Sequence, residues 1–173
     1  FSNVVVSTGG SDTTAPTVVI TSSSGDPTND SPILFTATFS EDVTEFTFNE
    51  VAPILNGALN SFTAVSESVY EFNIVPVGQG LMKINVGANV AQDAAGNNNE
   101  AAVELEQTYD SVPPVITLLG TSPLDIEYGE TYVDDGATAS DSNDGDITGS
   151  IVTDDPVDTS VLGTYTVTYN ISD

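Results

Sequence analysis

Apolar residues along this chain recur mostly at every second position, in short runs bounded by Gly, Pro, Asn, Asp and Ser. Thr, Val, Ile, Tyr and Phe dominate these runs, the side chains that suit a pleated, half-buried surface. The pattern predicts strands at Val18-Val19-Ile20, Ile33–Phe39, Phe46-Thr47-Phe48, 69–74, 81–86 and 165–171. No segment sustains a helical period over three turns. The Ala-rich stretch 88–102 comes nearest, and Gly96 followed by Asn97-Asn98-Asn99 breaks a helix there. The chain therefore reads as all-β, and many short strands joined by turn residues predict a sandwich.

Two internal echoes divide it. Asp12-Thr13-Thr14-Ala15-Pro16 and the β-branched run after it return in outline as Asp110-Ser111-Val112-Pro113-Pro114 and Val115-Ile116-Thr117. An acid, a Pro that cannot join a central ladder and then a β-branched run describe a linker entering a first strand. The expected organisation is a closing or donor strand of a preceding module at 1–11, one sandwich at 12–110 and a second at 111–173. The first module ends with a turn-rich stretch and a last strand near 102–107. The second reaches the matching point at 165–173, so it is expected to lack its last strand within this chain. A sandwich open in this way exposes unpaired N–H and C=O groups that invite another strand. Val4, Val5 and Val6 form the right kind of segment to fill it. Two readings follow: a piece of a longer chain whose next residues close the sheet in cis, or copies joined by strand donation.

Phe39-Ser40-Glu41-Asp42-Val43 and Asp93-Ala94-Ala95-Gly96-Asn97, with the Thr-Ala-Pro-Thr-Val start at residue 14, make the stretch 12–110 resemble bacterial Ig-like repeats found in tandem on large surface proteins. Pro113-Pro114-Val115-Ile116-Thr117, the segment 127–132, Gly136-Ala137-Thr138-Ala139, Asp144-Gly145-Asp146-Ile147-Thr148 and the segment 163–169 resemble an Ig-like or hyalin-type repeat of bacterial and archaeal surface proteins. The resemblance implies two tandem Ig-like β-sandwich modules in an extracellular, cell-surface protein: an adhesin stalk for cell adhesion, a filament or a surface-layer segment. It implies no catalytic residues, and the array-like organisation makes neighbouring copies or modules of the same protein the expected partners.

Charge narrows the partners. Against 26 acidic side chains stands one basic one, Lys83, for a net charge of -25. No surface of this kind neutralises a phosphate backbone, so nucleic-acid binding is excluded, as is a polybasic membrane contact. With no His, Cys or Arg, the chain lacks a Ser-His-Asp or Cys-His pair, a thiolate or imidazole metal site, a redox dithiol and an arginine clamp. There is no run of about 18 apolar residues and no charged segment leading into an apolar one, so no direct membrane insertion is expected and the sequence reads as mature. Salt or divalent cations relax such an acidic surface, which favours seawater, brine or a calcium-containing exterior, acidity kept for solubility being the alternative.

Calcium is the cofactor this composition suits, because it takes six to eight oxygen ligands. The turn Asp141-Ser142-Asn143-Asp144-Gly145-Asp146 has the right donors, with Asp134 and Asp135 leading towards it. It is not an EF-hand, since Gly falls one position early and Val152 stands where a bidentate Glu belongs. A solvated turn held by Asx-type hydrogen bonds is the alternative. A second candidate gathers Asp93 and Asn97 with the linker acid Asp110 at a module junction, with Asp12 and Asp173 in the same part at other junctions; otherwise 93–97 is only a turn with Gly96 at positive φ.

Glycosidase chemistry needs two carboxyls facing across a cleft. The adjacent pairs Glu41-Asp42, Asp134-Asp135 and Asp154-Asp155 would point to opposite faces of a strand, so no enzyme is expected. Surface glycans are the alternative partner, through Tyr70, Phe72, Tyr109, Tyr128, Tyr132, Tyr165 and Tyr169 as platforms. Alternation, however, assigns Phe35, Phe39, Phe46, Phe48, Tyr165 and Tyr169 to core faces, and the run 165–169 suits a tyrosine-corner analogue. Asn29-Asp30-Ser31 and Asn170-Ile171-Ser172 match the glycosylation acceptor pattern.

Overall fold

The computed structural model describes residues 12–172, which separate between Ser111 and Val112 into two compact units. Unit 1 contains β1 (Val18–Ser22), β2 (Ile33–Phe39), β3 (Val51–Leu55), β4 (Gly57–Ala64), β5 (Val69–Pro76), β6 (Gly80–Val86) and β7 (Leu105–Tyr109). They form a four-stranded antiparallel sheet in the order β1-β2-β5-β4 and a three-stranded one in the order β3-β6-β7. That division and order are those of the constant-type immunoglobulin sandwich.

Alternation builds the core directly. Ile33, Phe35 and Ala37 of β2 are fully buried, as are Phe72 and Ile74 of β5 and Met82, Ile84 and Val86 of β6. Phe35 pairs with Phe72 across the ladder, and their rings stack with centroids 5.9 Å apart. Burying a side chain of this size contributes about 1.5–3 kcal/mol. Tyr70 donates its hydroxyl to the carbonyls of Val43 and Glu67 and so ties the segment after β2 to the turn before β5.

Two expected elements differ, and two strands form where none was expected. Residues 46–48 do not form a strand: Glu45 adopts φ 69°, and Thr47 and Glu50 cap a single 3₁₀ turn at Phe48–Glu50. The turn breaks the alternation, so Phe46 enters the core against Phe39 and Tyr70, both at 5.0 Å, while Phe48 faces outward. The closing strand begins later than expected, at Leu105, although Ala102 N–H already reaches the Val86 carbonyl. Strands β3 and β4 carry Pro53 and Gly57 and a broken alternation, which is why the pattern does not announce them. The stretch 88–102 forms turns, with Gly96 at φ 87°.

Unit 2 contains β8 (Val115–Leu118), β9 (Ala137–Asp141), β10 (Gly145–Asp146), β11 (Val152–Asp154) and β12 (Thr168–Asn170), in sheets ordered β10-β9-β8 and β11-β12. Of the strand expected over 165–171, only Thr168–Asn170 finds a ladder partner. Tyr165 donates to the Val161 carbonyl four residues upstream at 3.1 Å, the type of bond a tyrosine corner makes. Among the described residues no helix is long and apolar enough to cross a membrane.

Candidate functional site

One carboxylate cluster stands out among the described residues. Asp12, Glu41 and Asp93 each bring an oxygen within 4.8 Å of the others. The fold assembles them from three places: the entry to β1, the exit from β2 and the turn after β6. Reciprocal bonds between Thr17 and Ser40 clamp the first two, Thr17 N–H donating to Ser40 Oγ at 3.0 Å and Ser40 N–H to the Thr17 carbonyl at 2.9 Å. Buried Asn99 fixes the third, accepting from Val90 and Ala91 N–H and donating to the Gly87 and Glu100 carbonyls.

The acids are held in unequal states. Asp93 is buried, and its Oδ1 accepts from Ala95 and Asn97 N–H at 2.8 Å while its Oδ2 accepts from the Asn97 side chain at 2.7 Å. These donors, Asn97 foremost, hold its carboxyl below the usual range against the opposing effect of burial. Glu41 moves the other way: desolvation raises it first, then the charges of Asp12, Asp93 and Asp42. The chain's one basic side chain, Lys83, is engaged with Glu104 and Glu106 at 2.8 Å. Such hard oxygens, gathered with no ammonium beside them among the described residues, are the donor set a divalent cation takes.

Asn97 joins this cluster, donating to the Asp12 carbonyl at 3.2 Å. Asp110 does not: it follows β7 beside Gly80, where its N–H donates to the Thr28 carbonyl, whereas the Asp93 turn follows Val86 at the other end of β6. The linker acid beside Asp93 and Asn97 is therefore Asp12, because the turn after β6 folds back on the entry to β1. Asp141 Oδ1 accepts from Asn143 and Asp144 N–H at 2.6 and 3.2 Å. Asp146 accepts from Thr148, whose side chain and N–H lower it. Asp141 Oδ2 is buried with no hydrogen-bond partner. Asn29 and Asn170 are both exposed. Val4, Val5, Val6 and Asp173 lie outside the described residues.

Asp134 and Asp135 belong to a different place. Asp134 accepts from the Tyr132 and Tyr169 hydroxyls and from Gly136 N–H. These bonds, that of Tyr169 first, lower Asp134, and the same bond pushes Tyr169 up to about 12. Both acids border a groove of about 570 Å³ in unit 2, lined also by Leu119, Leu124, Tyr128, Tyr132, Val161 and Tyr165. Nothing in the alternation pattern announces that groove, because several of its walls are irregular segments.

The family described as bacterial Ig-like domain matches residues 12–109. The family described as bacterial surface protein, Ig-like domain, matches residues 116–173. No curated protein and no solved structure matches the chain.

Proposed function

The chain belongs to the bacterial Ig-like domain family, and from that premise we propose that it is a non-catalytic mechanical segment of an extracellular surface protein, stiffened by calcium at Asp12, Glu41 and Asp93. Bacterial surface Ig-like domains are typically structural modules, and their families point to the cell surface. The observation that carries the reading is the tandem match, 12–109 and 116–173, which leaves only a short joint between two such domains. An adhesin stalk, a filament and a surface layer all use a segment of this kind.

Force comes next. In unit 1, β1 to β7 interlock through ladders far apart in sequence, so pulling on the ends must shear many hydrogen bonds before the chain lengthens. Stretching single molecules of the full chain tests this. Unit 1 should give a discrete peak with a length gain of about 30 nm, from roughly 3.5 Å per released residue, at a force that rises with calcium and falls with EGTA. Featureless extension would overturn the mechanical reading, and a force indifferent to both would remove calcium from it.

Carbohydrate binding is the second reading, favoured by the four tyrosines 128, 132, 165 and 169 around the unit 2 groove. Tyr70 and Phe72 are committed to the core instead. Binding on a glycan array that disappears with Tyr128→Ala would support it.

A further inference from the structure

Alternation asks for an apolar side chain at position 141, and the chain places an acid there. Along β9, Thr138 and Ser140 are exposed while Ala139 and Asp141 are buried, so Asp141 shares the inward face. It is only 8% exposed. Its carboxylate is turned towards the turn between β9 and β10, because Oδ1 accepts from Asn143 and Asp144 N–H at 2.6 and 3.2 Å. Oδ2, on the same carbon, is buried there without a hydrogen-bond partner.

An ionised carboxylate accepts at both oxygens, and a buried one that has lost its hydration needs a partner at each. No cationic side chain of the protein supplies it. There is no His or Arg, and the single Lys is Lys83, which lies on β6 of unit 1 and is held by Glu104 and Glu106. A chain of net charge -25 draws cations from solution instead. Among hard cations, calcium accepts the uneven set of oxygens that a turn offers, whereas magnesium demands a regular octahedron.

We propose that Asp141 Oδ2 anchors a calcium site in unit 2, completed by the side chains of Asn143 and Asp144 and by carbonyls of the turn. Asn143 and Asp144 are exposed, and their backbone is already drawn to the same carboxylate. Asp146 stands outside the site: it pairs with exposed Ser140 on the outward face of the ladder, and its carboxylate is taken up by Thr148. The site is separate from Asp12, Glu41 and Asp93, and it goes beyond the mechanical reading by giving unit 2 an ion of its own. The consequence for folding follows from the core. Sixteen buried hydrophobic residues form that of unit 1, whereas Ala139 is the one buried hydrophobic side chain among the described residues of unit 2. An ion bound by the folded turn alone stabilises so small a core by mass action.

Amide NMR of the isotope-labelled full chain reads the site residue by residue. In about 0.15 M NaCl, which screens diffuse attraction, calcium should shift the Asn143 and Asp144 amide signals along a saturable curve with a midpoint of about 0.1–1 mM. Asp141→Asn should weaken that midpoint about tenfold or more, and Asp146→Asn should leave it within about twofold. If Asp141→Asn loses the fold, seen as collapsed signal dispersion, Asp144→Asn and Asn143→Ala carry the comparison, each expected to weaken binding several-fold. Signals that stay still up to about 10 mM calcium would mean that water or a proton alone meets Oδ2, and would overturn the proposal. So would a response that Asp146→Asn removes as fully as Asp141→Asn, or one that magnesium reproduces at equal concentration, the mark of general screening. The Glu41 and Asp93 amides report the other cluster. Their response without that of Asn143 and Asp144 sinks this site and spares the first; the reverse pattern does the opposite.

Discussion

Glu41 and Asp93 share one cluster and are displaced in opposite directions, so their contributions to stability run oppositely with pH. Asp93 is lowered: its contribution is present above its unfolded value and lost as pH falls through the folded one, so unit 1 should soften below about pH 4. Glu41 is raised: its contribution is complete below its unfolded value and lost as pH rises through the folded one. Glu41→Gln should therefore raise the melting temperature in EGTA at neutral pH and lose that advantage in acid. In calcium it should lower it, because a ligand is gone. A melting curve indifferent to calcium in both proteins would show the cluster to be unligated. Asn99 is a different case, since four backbone groups depend on its side chain. Asn99→Ala should cost on the order of 3 kcal/mol in denaturant unfolding, because buried donors and acceptors lose their partners. Asp93 and Asn97 are legible as a turn from Gly96 and the small residues around it. Asp12 and Glu41 as their neighbours are not, because they come together only through ladders between distant strands.

Strands with strict alternation are legible as elements: Ile33–Phe39 coincides with β2, and its register with β5 follows from keeping one face buried. Elements where side chains compete with that rule are not. At 46–48 a capping interaction between Thr47 and Glu50 wins over alternation. At β4, Gly57 has no side chain because the sheets approach closely there: a Cβ would meet Ile74 Cγ2 at 2.5 Å and Met82 Cε at 3.0 Å. Gly57→Ala should destabilise unit 1 by about 1–3 kcal/mol through overpacking, measurable by denaturant midpoint at constant m-value. An unchanged midpoint would mean that β4 shifts freely.

On the scale of the whole molecule, the two units differ in how much apolar surface they bury. Buried apolar area is the main favourable contribution to folding. Calorimetry of the full chain at low concentration should therefore show unit 2 melting first, with calcium raising each transition through its own site. A single transition that calcium shifts as a whole would show the units to be coupled. Alternation, turn residues and the repeated Asp-to-Pro linkers were enough by themselves to establish an all-β chain of two modules without imidazole, thiol or guanidinium, because period and composition are local properties of a sequence. Which carboxylates converge and which aromatic rings reach the core were decided by tertiary structure, since each depends on residues brought together across the sheets by pairings that no local pattern encodes.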